Sequence, residues 1–390
     1  MRILRFIYDW PPPWIGLAPG PYEITRTQAE MGHQMTVFCG GRLGSIPQGI
    51  PGARILMVPR ALKGILLFSS APALLIRFWI HRIFHPVDLI HGHAHITHWY
   101  NLWRLLARSK TPYFYHLHIT FAGREKALLE KGYIFNPYEK VNNWAGKWCD
   151  RLGCRTANHV FAVNDSVKDE AVSLLGVDAR KVTVVKNGVN ASLFAPGPKD
   201  HVLLSRLDLH GDGPILLYVG VLNRRKNIGV LLRAFALLPN TFRLILAGNG
   251  PEDYLQEMRA EAANSGIVSR IRFVGYIAYP DLPAYYSLAD VFVLPSLYEG
   301  MPKVLLEALA SAKPSIVHSG YGLDSDLEAF VDKVDCTDPI GLADRIRASL
   351  GRGFKGEHAE FVRQFSWRFI MDKVETVYRL HLPSARADAP

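Results

Sequence analysis

Apolar residues in the first half of the chain fall in short continuous runs instead of alternating with polar ones. "RILRFIY" (2–8), "MTVFCG" (35–40), "ARILMVP" (53–59), "DLIHGH" (88–93), "PYFYHLH" (112–118), "HVFAVND" (159–165) and "KVTVVKNG" (181–188) are rich in β-branched or aromatic residues. Runs of this kind bury both faces, as strands do in a parallel sheet covered by helices. Between several of them the period becomes helical, as in "EITRTQAEMGH" and "SVKDEAVSLLG". The second is expected to open on a Ser N-cap and close on Gly176. Residues 194–214, "FAPGPKDHVLLSRLDLHGDGP", hold no sustained period and read as a linker.

After the linker the alternation restarts. "ILLYVG" (215–220), "FRLILAGNGP" (242–251), "IRFVGYI" and "DVFVLPS" (290–296) read as strands. "NIGVLLRAFALLP", "DYLQEMRAEAANSG" and "DLPAYYSLA" read as the helices between them. The pattern predicts an α/β chain of two facing, doubly wound Rossmann-like domains, 1–199 and 200–365, with a closing segment over 366–390. Ligands in such sheets bind beyond the carboxyl ends of the strands, which directs attention to the cleft expected between the halves.

A length of 390 residues is enough for two cores. The net charge of +10 favours anionic partners: phosphorylated metabolites, acidic lipid surfaces or nucleic acid. No stacking or groove-reading motif supports nucleic acid. Cys39, Cys149, Cys154 and Cys336 make neither a zinc spacing nor a disulfide framework, so a reducing cytoplasm is expected. The first apolar run is too short for a signal peptide. "GILLFSSAPALLI" (64–76) is shorter than the roughly 20 residues a spanning helix needs. It continues into "RFWIHRIFHP", where Arg77, Trp79, His81 and Arg82 mix with Leu75, Phe78, Ile80 and Phe84. That segment is either a core helix or one that seeks a membrane surface.

The candidate chemistry centres on "LYEGMPKVLLEALA" (297–310), which carries Glu299 and Glu307 eight positions apart. One reading is an ordinary acidic helix start. In the other, both carboxylates grip a ligand. Gly300 admits a ligand close to the backbone, and a helix opening near Pro302 offers free amides to an anion. A fully helical segment would set the two acids about 12 Å apart, beyond the roughly 5–9.5 Å of a glycosidase pair. They suit an elongated ligand with polar ends and phosphate in the middle, the layout of a nucleotide-sugar. In "HGHAHITH", His91, His93 and His95 would share a strand face, but no carboxylate or cysteine lies nearby and no metal is expected. "AGNGP" lacks a GxGxxG after a first strand, so a nicotinamide enzyme is not expected, nor any other cofactor.

"EGMPKVLLE" is similar to the Glu-x7-Glu element of the retaining glycosyltransferases of family 4, which have the GT-B fold. "AEMGHQMTVF", "DLIHGH", "VVKNGVNASLFAP", "LYVGVLNRRKNIGVLLRAF", "LILAGNGP", "VGYI", "AYYSLADVFVLPS" and "FSWRFIMDKVETVYRLH" resemble further elements of that family in order along most of the chain. The last resembles a closing helix that packs back on the first domain.

The resemblance implies that Glu299 accepts hydrogen bonds from donor-sugar hydroxyls and Glu307 holds the ribose. Gly300, Met301 and the neighbours of Pro302 would hold the diphosphate, and Lys226 would neutralise it as it leaves; a solvated helix-start charge is the plainer reading of Lys226. Gly220 would belong to the phosphate loop, and Gly16 to a first-domain loop near the diphosphate. His118 would stand near the transferred sugar, unless it is a satisfied structural histidine. The family usually has an arginine directly after the loop glycine; here Val221 stands there, and Arg224 or Arg225 is the candidate replacement.

The activity implied is a retaining hexosyltransferase. It would move sugar from a UDP- or GDP-sugar to a hydroxyl of a sugar or lipid-linked acceptor, in cell-surface polysaccharide, lipopolysaccharide or glycolipid synthesis. The basic, aromatic 60–86 region adds an anionic membrane surface as a partner, with peripheral attachment at the inner face. The rival readings are a nucleotide-sugar epimerase of the same fold and a non-catalytic nucleotide-sugar-binding subunit, the latter motivated by Val221.

Overall fold

The continuous apolar runs of the first half become seven strands in the computed structural model. It describes residues 1–382 except Tyr8, Pro13, 15–17, 42–45, 60–70, 94–96, 131–134, Asn136, 210–212, Tyr298, Gly300, 321–322 and Asp324; at Gly41, Pro59, 71–73 and 127–128 it describes the backbone alone. Gly16, Gly300, His95 and the 60–70 part of the basic aromatic region therefore lie outside the described residues.

The strands are β1 Arg2–Ile7, β2 Gln34–Gly41, β3 Ala53–Pro59, β4 Leu89–His93, β5 Tyr113–Leu117, β6 His159–Ala162 and β7 Val182–Val184. They form one parallel sheet in the order β3-β2-β1-β4-β5-β6-β7. The helices between them are α1 Pro19–Glu30, α2 Ala71–Phe84, α3 His98–Ala107, α4 Phe121–Glu130, α5 Pro137–Thr156 and α6 Asp165–Ser173. A second parallel sheet, β10-β9-β8-β11-β12-β13, contains β8 Ile215–Val219, β9 Arg243–Ala247, β10 Ile271–Gly275, β11 Val291–Leu294, β12 Ser315–His318 and β13 Asp332–Val334. Its helices are α7 His201–Arg206, α8 Ile228–Ala236, α9 Glu252–Asn264, α10 Leu282–Leu288, α11 Lys303–Ala310, α12 Ser325–Glu328, α13 Pro339–Ser349 and α14 His358–Phe365; α15 Trp367–His381 closes the chain.

The chain divides into two compact units, Met1–Asn187 with Trp367–Pro390, and Gly188–Ser366. The first division thus falls ahead of the 199/200 boundary expected from the Pro- and Gly-rich stretch. That stretch is not wholly linker: Asp200 accepts a hydrogen bond from Leu203 N (2.9 Å) and caps α7.

The first sheet is covered on both faces, as its continuous apolar strands require. Leu4, Phe6, Phe38 and Ile90 pack under Leu74 and Phe78 of α2 and Tyr100 of α3. Ile3, Met35, Leu89 and Phe114 pack on the other face against Ile24 of α1 and Ile370, Met371, Val374 and Tyr378 of α15. The closing helix is thereby part of the first unit. The expected Ser N-cap of α6 is Asn164 instead, whose side chain accepts from Val167 N at 2.8 Å. Gly176 lies just past this helix in the left-handed region (φ +71°).

Candidate active site

In the second unit the site is built where β8 and β11, neighbours in the sheet, give way to loops. The β8 loop begins at Gly220, whose φ of +149° excludes a side chain. Gly220 N donates to Ala247 O (2.9 Å) and Leu222 N to Asn249 O (2.9 Å), tying this loop to the one after β9. A Cβ at Gly248 would sit 1.8 Å from the Gly220 carbonyl oxygen, so the two loops touch backbone to backbone. Val221 is exposed, and its carbonyl accepts from the Tyr218 hydroxyl at 3.0 Å.

A single 3-10 turn over Arg224–Lys226 follows, capped by Asn223, whose side chain accepts from Lys226 N (3.2 Å). The turn splits its three cations, sending one away and two to the same carboxylate. Arg224 leaves the site: its guanidinium donates to Glu257 (2.7 Å) and lies over the Tyr254 ring. Arg225 Nη1 lies 3.4 Å from Glu299 Oε2. Lys226, only 8% exposed, hydrogen-bonds Glu299 Oε1 through its Nζ. Leu297 N donates to Arg225 O (3.0 Å), so the loop carrying Glu299 is tied to the cationic turn through the backbone as well.

Burial lowers the Lys226 pKa, because the charged ammonium loses water, and Glu299 opposes that shift by attraction. Glu299 is thus a carboxylate gripped by two cations, with acceptor capacity left over. The plain reading of Lys226 as a solvated helix-start charge fails on its burial.

Glu307 lies inside α11 and is 5% exposed. The Tyr286 hydroxyl, on α10, donates to Glu307 Oε2 (2.9 Å), and Val304 O is also within reach at 3.0 Å. Burial, reinforced by Glu307, pushes the Tyr286 phenol well above its usual range and keeps it protonated as a donor. Met301 is buried immediately before Pro302, the N-cap of α11. Ser296 follows the end of β11; it is fully buried and its hydroxyl has no hydrogen-bond partner among the described residues.

Arg225 and Lys226, on the loop that opens at Gly220, therefore meet Glu299 in one place, while Arg224 turns away. Tyr286 and Ser296 were missed from the sequence. Nothing local marks Tyr286, which reaches Glu307 from another helix.

In the first unit, His118 follows β5. Its Nε2 is 3.0 Å from His93 Nδ1, and its ring stacks on His116 at 4.6 Å with a 2° interplanar angle. His93 on β4 is in register with His116 on β5, so two His-x-His pairs lie side by side. His91 Nε2 lies 3.2 Å from His116 Nδ1, and His91 Nδ1 meets the hydroxyl of Tyr378 on α15. Burial holds His91, His93 and His116 well below the usual histidine pKa, and the field of Arg5 adds to the effect.

One nitrogen from each of His91, His93 and His116 lies within 4.8 Å of the others, so His116 takes the place expected for His95 in a three-histidine group. His91 uses both nitrogens within the protein. The nearby Arg5 is fully buried and donates to Thr25 Oγ1 and Gln28 Oε1 (2.5 Å each), and its charge opposes a metal cation there.

Comparison with known proteins agrees with this architecture. Residues 16–193 match the model described as Glycosyltransferase Family 4, and residues 203–352 the model described as Glycosyl transferases group 1. D-inositol 3-phosphate glycosyltransferase 1 of Catenulispora acidiphila is 27% identical over 388 residues, covering 93% of this chain and 90% of its own. O-antigen chain mannosyltransferase B of Escherichia coli is 28% identical over 237 residues, 58% of this chain and 61% of its own. Anabaena HepE, solved with UDP and glucose, superposes with a TM-score of 0.73 at 18% identity, covering 97% of this chain and 99% of that one. Fold and matches define a GT-B glycosyltransferase. The chain belongs to glycosyltransferase family 4.

Proposed function

We propose that the protein is a retaining hexosyltransferase that moves a sugar from a nucleoside-diphosphate sugar to an acceptor hydroxyl. The observation that carries this reading is the buried Lys226–Glu299 pair with Arg225 beside it, set at the carboxyl ends of β8 and β11. Glu299 accepts hydrogen bonds from donor-sugar hydroxyls. Lys226 and Arg225 take up the charge that develops on the diphosphate as the sugar–phosphate bond breaks, in a site where low water content strengthens the interaction. Backbone amides of Gly300, Met301 and the start of α11 hold phosphate oxygens, and Glu307 accepts from the ribose.

Arg225 fills the role left by Val221, because Arg224 is committed to Glu257 and Tyr254. The leaving phosphate oxygen takes the acceptor proton while the acceptor attacks on the same face, which retains configuration. His118 contributes a hydrogen bond at the transferred sugar, its ring fixed by His93 and His116, and the family resemblance adds Gly16 as a donor-binding residue.

The UDP and glucose held by HepE favour a UDP-sugar, with a GDP-sugar as the other candidate. The O-antigen relative favours cell-surface polysaccharide or lipopolysaccharide synthesis. The Trp- and Arg-bearing α2 favours a lipid-linked acceptor met at the inner membrane surface. In the test, Glu299→Ala is expected to abolish sugar transfer while the chain still folds, with a lowered melting temperature because Lys226 loses a buried partner. Unchanged turnover would overturn the assignment of the site.

A further inference from the structure

The helices that cover one face of the first sheet leave large apolar side chains in solvent. α2 exposes Ile76, Trp79, Ile80, Ile83 and Phe84, and α3 exposes Leu105 and Leu106. α5 exposes Tyr138, Val141, Trp144 and Trp148. These last four recur at helical spacing and form one stripe, while Ala145, Cys149 and Leu152 of the same helix turn inward.

The three helices belong to one layer. Leu74 and Phe78 of α2, Tyr100 of α3 and Cys154 of α5 share a core with Leu4, Phe6 and Phe38 of the sheet. Trp79 meets Trp103 at 6.4 Å across the α2–α3 seam, and Arg104 of α3 donates to Thr156 O at the end of α5 (3.0 Å). Their outward stripes therefore all point away from the same sheet face. Single exposed apolar residues are ordinary on a soluble protein, but three neighbouring helices doing this together mark an interaction surface.

Charge identifies the occupant. α2 and α3 contain no Asp or Glu. Of the two acids in α5, Asp150 is buried and Glu139 half-buried. On the adjoining α4, Glu125 is paired with Lys147 (2.5 Å) and Glu130 lies 4.0 Å from Lys126. Arg77, Arg82, Arg108, Lys140, Arg151 and Arg155 are exposed on or beside the stripes. A second copy of the chain would bring the same positive charges against these. An anionic bilayer would receive indole rings at the headgroup level and pair its phosphates with the guanidinium and ammonium groups.

We propose that α2, α3 and α5 form one membrane-docking face that lays the first unit on an anionic lipid surface, with Trp144 and Trp148 of α5 as anchors alongside α2. Its biological purpose rests on the proposed lipid-linked acceptor, whereas the docking is read from the helices themselves.

The test is flotation of the full chain with phosphatidylcholine vesicles, with and without phosphatidylglycerol. Binding is expected only with the anionic lipid and should weaken as salt rises. Trp144→Ser with Trp148→Ser, and separately Lys140→Glu with Arg151→Glu, are each expected to lower the bound fraction at least about tenfold. Brominated lipids are expected to quench tryptophan fluorescence of the wild type, and less in the double-tryptophan variant. Absence of flotation at low salt, equal flotation of wild type and both variants, or a wild-type dimer that these substitutions dissociate would each overturn docking. Release of nucleoside diphosphate from the donor in solution should stay within about twofold in these exposed-site variants. Failed flotation with intact release removes docking alone, and flotation without donor turnover removes the transferase reading alone.

Discussion

Lys226 is held in the protein by one carboxylate and would be asked to serve another anion. In the described state its charge is balanced by Glu299, with Arg225 as a second, looser partner. On the proposed reading, Lys226→Ala removes the group that would stabilise the departing diphosphate, and it leaves Glu299 with Arg225 alone. Losing one charge-stabilising donor costs about 10²–10³ in turnover, and that loss is expected in kcat from donor-saturation kinetics. The two arginines are expected to separate in the same assay. Arg225→Ala is expected to lower kcat/KM at least about tenfold, whereas Arg224→Ala, which loses an exposed pair with Glu257 and a contact with the Tyr254 ring, should stay within about threefold. Equal effects of the two would contradict the assignment of Arg225 to the role left by Val221. At this scale the sequence marked Glu299, Glu307 and Lys226 through one motif and one phosphate loop. It did not distinguish Arg224 from Arg225, because the direction of each side chain is set by the Asn223-capped turn. Tyr286 was invisible because its partner comes from another helix.

Short elements decide both the shape of the site and the pH response. Gly248→Ala would drive a Cβ into the Gly220 carbonyl and place a side chain at φ +142°. Strain of that kind costs about 1–3 kcal/mol. The expected result is a lower urea midpoint together with a raised donor KM, since the loop after β8, the proposed phosphate loop, must move. On α5, Asp150 accepts from Phe121 N (2.9 Å) and the Tyr115 hydroxyl (3.2 Å), yet burial still raises its pKa to about 7. The folded state therefore binds a proton on Asp150 that the unfolded state has released between pH about 4 and 7, so this group lowers stability as pH rises through that window.

His91, His93 and His116 act with the opposite sign. Their folded pKa values are depressed, so the unfolded chain binds more protons below pH about 6.5 and stability falls on acidification. Asp150→Asn removes the opposing contribution and is expected to steepen the fall in melting temperature between pH 7 and 5; an unchanged slope would refute the assignment.

Continuous apolar runs made β1 to β7 legible, because a strand buried on both faces leaves no alternation to misread. β12 and β13 were missed: Ser315–His318 holds just two apolar residues, and β13 is Asp-Lys-Val. α7 was hidden in a Pro- and Gly-rich stretch, where only the Asp200 cap signals it.

Across the whole molecule, each unit carries its own core, as two successive strand–helix alternations require. The closing helix is the exception to sequence order. Ile370, Met371, Val374 and Tyr378 fill the face of the first sheet where, among the described residues, α1 is the other helix that supplies core residues. Tyr378 also closes the buried histidine array. Truncation after Ser366 would uncover that face, and the expected outcome is a first unit that binds a hydrophobic dye and aggregates. A soluble truncated chain with an unchanged melting profile would show that the helix is dispensable.

On the proposed reading, the Glu299–Lys226 site breaks the sugar–phosphate bond of a nucleotide-sugar with retention. The most direct measurement is time-resolved proton NMR of the wild type and Glu299→Ala incubated with UDP- and GDP-sugars, reading the anomer of the sugar first released or transferred. The wild type is expected to release nucleoside diphosphate with the donor's anomeric configuration kept in the first product, and Glu299→Ala to lose both signals. An inverted first product, or release that survives loss of Glu299, would contradict that reading.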